Sequence, residues 1–448
     1  MAAPITINTP ITYADALPDA VDVIIIGGGV IGIFSALYLN RLGKRVLVCE
    51  KGRIAGEQSS RNWGWIRQHG RDAAEIPITA QAVKLWHDID AEVGGACGVK
   101  TTGIAYLADN EKRMHKLLEW LDIAKEHDLD SYAMGAEHVD SMFSQPHEGK
   151  WIGGTCTPSD CVAEPWQAVP AVAKLAHQEG VLIRENCAVR DIQRQAGAVS
   201  GVVTEAGEVA CNQVVLCGGA WSSVFARRLG IKLPQLTVEA TVAQTQPLGA
   251  GIGHSFSDGE IAMRKRADGG YNIALADSHG IYLGPDSFRH ALPFFPLLKT
   301  SWNELQIKGL SPKGFSDAWG LKRNWSADEI TPFEQMRVMD PPSNDRRVAR
   351  MQQRFTERFP QQGGLDILSS WSGMIDAMPD VVPVVDEVQQ IPGFYLATGM
   401  SAHGFGIGPG YGRVIARMLS GLPAEHDLTR FRLSRFSDGS KIEVGPSL

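Results

Sequence analysis

Gly27-Gly28-Gly29-Val30-Ile31-Gly32 fits the spacing G-x-G-x-x-G. Glu50 follows at the distance of about 20 residues where an acidic side chain meets a ribose. Gly27 permits a tight turn, and Gly29 lets a diphosphate approach the backbone at a helix N-terminus. Gly32 allows the helix to lie close on a strand, and Glu50 accepts hydrogen bonds from ribose hydroxyls. This chemistry is the holding of a dinucleotide, flavin or nicotinamide. It needs a strand, a turn, a helix and a second strand. The sequence supplies them as the β-branched run Val21–Ile26, the helically spaced Val30–Leu42 ended by Gly43, and the apolar Arg45–Cys49.

Composition narrows the classes. The 448 residues carry 43 basic and 50 acidic side chains, a net charge of −7, which argues against a nucleic-acid binder. At 44% hydrophobic and 21% charged residues the chain is globular, with length for two or three domains. The 48 glycines cluster without a period, as where backbone packs against a ligand. The longest apolar stretch, Val23–Phe34, is broken by three glycines, so no membrane span is expected. Met1–Asp19 contains Pro4, Pro10, Asp15 and Pro18, reads as a polar lead-in, and lacks the pattern of a secretory signal. Cys49, Cys97, Cys156, Cys161, Cys187, Cys211 and Cys217 are odd in number and scattered, with no C-x-x-C and no H-E-x-x-H. A cytoplasmic protein with no metal site is the expectation.

Further along, Ser59–Asp72 reads as loop, and Pro77–Val93, Asn110–His127 and Glu164–Glu179 as helices. Val181–Arg184 and Asn212–Leu216 read as strands, and Leu236–Ile281 as an antiparallel sheet. Residues 285–345 resist assignment. Arg346–Phe359, Phe394–Thr398 and Tyr411–Leu419 predict a helix, a strand and a last helix.

Four blocks resemble the FAD-dependent D-amino-acid oxidase/glycine oxidase-like family, which includes sarcosine oxidases, D-amino-acid dehydrogenases and opine or polyamine-derivative oxidoreductases. The first block is the fingerprint (Gly27, Gly29, Val30, Ile31, Gly32) with Glu50 and Lys51. The second is Ser59, Ser60, Arg61 and Asn62, running into Trp63 and Gly64. The third is Val214–Trp221, with Gly218, Gly219 and Trp221; Val189 joins the cofactor contacts. The fourth is Trp371–Pro383 with Phe394–Gly408, offering Gly373, Met374, Gly399, His403, Gly404, Phe405 and Gly406.

The resemblance implies an α/β fold. A Rossmann-like FAD-binding domain with a parallel sheet (21–100, 161–235, 366–448 with the C-terminal tail) is interleaved with an α+β substrate domain on an antiparallel sheet (101–160, 236–365), after an extension over 1–20. It implies hydride transfer from the C–H beside an amine nitrogen to flavin N5, giving an imine that hydrolyses. The implied substrate is an amino acid or secondary amine, such as a D-amino acid or an N-substituted amino acid, with oxygen or another electron acceptor as partner. The alternatives are a carboxylate-poor amine such as a polyamine derivative, a flavoprotein dehydrogenase subunit passing electrons to a partner, and a nicotinamide-dependent dehydrogenase. A homo-oligomer is left open.

Two departures from the family pattern matter. Ser369, Ser370 and Ser372 stand where some relatives carry a flavin-linking cysteine, and Asn62 where others carry a histidine, so non-covalent FAD is expected. Gly373-Met374-Ile375-Asp376 replaces Gly-Leu-Arg-Pro, so Ile375 occupies the place of a carboxylate-binding arginine.

Sarcosine-oxidase-like relatives carry a carboxylate-binding arginine at a similar distance after the flavin loop, and that resemblance implies Arg67 as the candidate carboxylate anchor, the alternatives being a pair with Asp72 or a phosphate contact. Asp376 is the candidate for an ammonium, or else a loop cap or a partner of Arg67 or Arg413. His403 is the candidate to bond flavin or substrate, or else a turn histidine, and His279 ranks below it. Arg264 is read as a solvated hairpin charge, the alternative being that it faces the substrate. Trp63 and Trp65 form a cavity wall or pack the loop, and Phe294–Phe333 forms a lid or an oligomer surface.

Overall fold

The computed structural model describes residues 4–144, 146–248, 253–302 and 305–445. Val23–Ile26 (β1) lies in the middle of a six-stranded sheet. It pairs in parallel with Val46–Cys49 (β2) on one side and Gln213–Leu216 on the other. Leu182–Arg184 extends the sheet beyond β2, and Phe394–Thr398 then antiparallel Val384–Glu387 extend it beyond Gln213–Leu216. Helices cover the sheet, which is why its inner strands read as unbroken apolar runs.

The helix after β1, Val30–Arg41 (α1), packs on Gly404–Leu419, which begins seven residues before the predicted Tyr411. The sequence misleads here because Gly404, Gly406, Gly408, Pro409, Gly410 and Gly412 lower helix propensity. Packing reverses that preference. A Cβ at Gly408 would stand 2.6 Å from Val30 Cγ2, and one at Gly412 the same distance from Phe34 Cβ.

A ten-stranded, mostly antiparallel sheet forms the second layer, with the expected Leu236–Ile281 region inside it. Ile367–Ala377, counted from sequence with the last FAD-binding segment, pairs along its length with Leu236–Thr245 in this sheet. Its far end thereby carries Gly373–Asp376 toward the parallel sheet. The unassigned 285–345 region contains Pro285–Arg289, Ala291–Ser301, Leu305–Leu310 and Pro332–Gln335. Phe294, Trp325 and Phe333 are buried there, while Phe288, Leu292 and Phe295 are exposed.

Two further expectations change, and the polar lead-in is tied to the fold. Ser59–Asp72 is not all loop: Gln58–Arg61 forms one helical turn, and Trp65–Ile66 pairs with Cys161–Val162. In the lead-in Ile5 is buried, its N–H donates to Ser60 Oγ at 3.2 Å, and its carbonyl accepts from Arg61. Arg264 is not solvated. It is 1% exposed and held by both oxygens of Glu164 at 3.0 and 2.9 Å. Glu164→Gln, which leaves that buried guanidinium uncompensated, is expected to cost about 3–5 kcal/mol of stability. Denaturant unfolding checks it, and a loss under about 1 kcal/mol would contradict this role.

Among the described residues no helix is long and apolar enough to cross a membrane, and no group of His, Cys, Asp or Glu could hold a metal ion.

Candidate active site

A cleft runs between the two sheets, from the C-terminal ends of β1 and β2 to the Arg67–Tyr106 region. At its near end, Gly27 adopts φ +111°, a left-handed conformation that favours glycine. A Cβ at Gly32 would lie 2.0 Å from the Gly27 carbonyl oxygen, so only glycine lets α1 rise against the turn. Glu50 accepts from the N–H groups of Gly28 and Gly52, both at 2.7 Å, and burial pushes its carboxyl up to about 6. Val30 N–H, at the first turn of α1, donates to Ser59 Oγ at 2.9 Å, so the Gln58–Asn62 segment closes over the helix N-terminus.

The middle of the cleft is built by fastened side chains. Lys51 Nζ bonds Glu57 and the carbonyls of Met336 and Arg337, and lies 4.5 Å from the Trp221 ring centroid. Trp221 Nε1 donates to the same Glu57. Arg61 pairs with Asp340 at 2.7 Å and reaches the carbonyls of Ile5, Gly56 and Ser372. Asn62 bonds the Ser59 carbonyl and accepts from Gly64 N–H. Val189, Gly218, Gly219, Gly373, Met374, Gly404 and Phe405 also face the cleft.

Six residues named from sequence do not line it: Gly32, Ser60, Gly64, Gly399, His403 and Gly406. Each lies just behind the wall. Gly64 is backed by Ala163 and Arg264, and Gly406 by Ile66. Gly399 donates its N–H to Asp376, and Ser60 accepts from Ile5. His403 turns inward, its Nδ1 3.4 Å from Glu75. Burial and Arg71 hold its pKa well below the ordinary value, so the ring is neutral.

At the far end, Arg67 Nη1 donates to the His69 carbonyl at 2.9 Å and to Tyr106 Oη. Among the described residues Arg67 makes no ion pair; Asp72, the alternative partner, pairs with Arg430 instead. Trp63 and Trp65 meet edge to face at 5.1 Å and wall this end, and among the described residues Trp65 Nε1 has no hydrogen-bond partner. Burial pushes His279 down to about 4, so it faces the cleft as a neutral ring.

Asp376 Oδ2 accepts from Gly399 and Met400 N–H at 2.8 and 3.3 Å, fastening the turn after Phe394–Thr398. It pairs with neither Arg67 nor Arg413; Arg413 is held by Glu425. Among the described residues its Oδ1 has no well-aligned hydrogen-bond partner; burial raises the carboxyl to about 6, opposed by the Gly399 and Met400 N–H groups and the Gln58 side chain.

Arg71, Tyr106, Glu57 and Arg337 line the cleft and were not named from sequence. Arg71 carried a signal, standing four residues after Arg67 in one loop. Tyr106 carried none, since it comes from a strand distant in sequence.

The near end fits the adenosine diphosphate portion of FAD. The glycine cradle has no room for a Cβ at Gly27 or Gly32, and Glu50 is braced by two amides. The cleft then continues past unpartnered buried atoms of Asp376 and Trp65.

A protein-family description, FAD dependent oxidoreductase, matches residues 22–418. The chain is similar to sarcosine oxidase subunit beta of Arthrobacter sp, 24% identical over 94% of this chain and 92% of that one. It is also similar to the mitochondrial pyruvate dehydrogenase phosphatase regulatory subunit of Mus musculus, 23% identical over 95% of this chain and 44% of that protein. The chain thus spans less than half the length of the first curated relatives it matches. Among solved structures, L-amino acid deaminase from Proteus myxofaciens in complex with anthranilate superposes with a TM-score of 0.90. It is 28% identical, over 96% of this chain and 97% of that one. L-proline dehydrogenase from P. horikoshii, 21% identical over 95% and 100% of the two chains, shares the fold with a TM-score of 0.76.

Proposed function

Because the chain belongs to the family of FAD-dependent oxidoreductases, we propose that it oxidises the carbon–nitrogen bond of a carboxylated amine whose carboxylate rests on Arg67. The observation that carries this reading is a guanidinium facing the cleft with no acidic partner among the described residues. Arginine presents a planar fork that matches a carboxylate in two hydrogen bonds. Anthranilate, held in the similar deaminase structure, is an amine bearing a carboxylate.

FAD, bound along the glycine cradle, Glu50 and the Gln58–Asn62 segment, supplies the acceptor for a hydride. The residues of the chain do the rest. Arg67 and Tyr106 fix one end of the substrate, and Trp63 and Trp65 limit its tilt and exclude water. With FAD bound, the carbon beside the nitrogen would lose a hydride to it and the nitrogen a proton to solvent, leaving an imine. The imine then adds water to yield a carbonyl compound and the free amine or ammonia. Asp376 fastens the turn at Gly399–Met400. Its unpartnered Oδ1 supports a second reading, in which a cationic amine without a carboxylate is held there.

Turnover with an artificial electron acceptor tests the class, since one carbonyl product must form for each two electrons passed. Acceptor reduction without carbonyl product would overturn it. We propose that the flavin is not covalently linked. Acid precipitation is expected to leave yellow flavin in the supernatant, and flavin retained in the pellet would contradict this.

A further inference from the structure

Behind Arg67 lies a buried polar cluster that the proposed reaction does not use. Arg71 is 2% exposed and faces the cleft, yet it forms no ion pair among the described residues, and its Nη1 has no hydrogen-bond partner. Glu75, fully buried, sits at the start of Ile76–Glu92 with both oxygens 3.4 Å from His403 Nδ1, and its Oε2 has no hydrogen-bond partner. His403 Nε2 and Tyr411 Oη, from Gly404–Leu419 and its N-cap, are also unpartnered among the described residues. Four orphaned polar atoms around one acid and one cation form a site that a change of charge would satisfy better.

We propose that Glu75 is the charge-compensating residue of the substrate site, taking up one proton from solvent when a carboxylate occupies the Arg67–Arg71 end of the cleft. This rests on the carboxylate reading above and adds a proton to it.

Several groups face Glu75. Arg67, Arg71 and Asp72 come from the loop before it, and His403 and Tyr411 from Gly404–Leu419 and its cap. Asp380 comes from the turn after Ile367–Ala377 and is itself held by Arg435 and Arg430. Burial dominates and raises the Glu75 carboxyl to about 7, while Arg71 and the Asp72 backbone oppose it. His403, held well below its ordinary value, stays an acceptor and can receive a carboxyl O–H through Nδ1.

A ligand carboxylate on Arg67 and Arg71 cancels the positive field that keeps Glu75 ionised, so the bound state holds its proton more tightly. The sign follows by linkage. Below about pH 7 Glu75 is protonated with or without ligand, and affinity is flat. Above it, binding requires proton uptake, and affinity falls as pH rises by up to about tenfold per unit. Arg71 itself, pushed down to about 9 chiefly by burial, confines the window to below pH 8.5. Asp160 is also raised to about 7 and lies near Arg67. Its Oδ1 accepts from Gln68 N–H at 2.7 Å and among the described residues its Oδ2 has no hydrogen-bond partner; it differs from Glu75 in having no histidine ring nitrogen beside it to take a carboxyl O–H, and the Asp160→Asn arm of the test separates the two acids.

The test is calorimetric titration of the FAD-loaded protein with benzoate, which has no amine to titrate. It is run at pH 7.5 in phosphate and in Tris, whose ionisation enthalpies differ. The expected result is uptake of more than half a proton per benzoate, and an affinity that drops about tenfold between pH 7 and 8.5. Glu75→Gln is expected to abolish the uptake and flatten the pH dependence, whereas Asp160→Asn keeps both. The wild-type proton count stands even if the glutamine variant fails to fold. Benzoate binding that depends on Arg67 but moves no proton would overturn this inference and leave the carboxylate reading intact. Uptake unchanged in Glu75→Gln would overturn it likewise. No benzoate binding at all would remove the carboxylate reading, and this inference with it.

Discussion

Arg67→Met is expected to lower kcat/KM for carboxylated amines by about a hundredfold to a thousandfold while leaving FAD content unchanged. Truncating one side of a desolvated, charge-assisted pair costs roughly 3–4 kcal/mol, and each 1.4 kcal/mol is a factor of ten. The side chain is suited to such a test. Among the described residues its guanidinium donates only to a backbone carbonyl and to Tyr106, and no ion pair is broken when it goes. Methionine keeps the apolar stem that packs in the loop. The loss is expected mostly in KM, since a carboxylate held equally in ground and transition states affects binding more than the chemical step. Arg67→Lys should recover part of it, because a point charge replaces a fork. Steady-state kinetics with matched substrates, with and without the carboxylate, reads the effect. An equal loss for both would assign Arg67 to structure rather than substrate.

The second large effect is expected at Gly32. Alanine there places a Cβ 2.0 Å from the Gly27 carbonyl oxygen, a distance no relaxation of side chains can relieve. Either α1 moves off the turn or the turn opens, and both displace the N–H groups that meet a diphosphate. Gly32→Ala is expected to be purified with less than about a tenth of the wild-type FAD, given how tightly such backbone donors must be placed. Gly135→Ala is the control outside the fingerprint. Its Cβ meets nothing within 4 Å, so the flavin content should remain that of the wild type. The ratio of flavin to protein absorbance, before and after incubation with added FAD, reads both. Full flavin content in Gly32→Ala would show that the cradle is not where the dinucleotide lies.

How much of this was legible in the residues depends on whether their partners were near in sequence. The Val23–Cys49 unit could be read because strand, turn, helix and strand follow one another, and each glycine answers a local constraint. The family resemblance then led to the parallel and antiparallel layers. Gly404–Leu419 was foreshortened because its glycines answer residues far away in the chain, Gly408 and Gly412 meeting Val30 and Phe34 and Gly410 meeting Ile78. Ile367–Ala377 was placed by its motif with the flavin blocks, whereas its hydrogen bonds run to Leu236–Thr245. Arg264 looked like a hairpin charge until the fold brought Glu164 to it. His403 carried the right type and position, but its ring turns toward Glu75 and away from the cleft. Arg71 was visible as a cation and invisible as a cleft residue, since its loop is held by partners distant in sequence, the pairing of Trp65–Ile66 with Cys161–Val162 and the bond from Trp120 Nε1 to the Arg71 carbonyl.

The central claim is that this chain oxidises amines carrying a carboxylate held at Arg67, and anaerobic bleaching of the bound flavin tests it most directly. The purified protein would be mixed in turn with N-methyl amino acids, D- and L-amino acids, opine-like compounds and polyamines, and the flavin absorbance followed without oxygen. The account predicts bleaching by one or more carboxylated amines and none by polyamines, with the bleaching rate at low substrate falling in Arg67→Met. Bleaching by polyamines alone would contradict it and transfer the substrate cation to the free oxygen of Asp376.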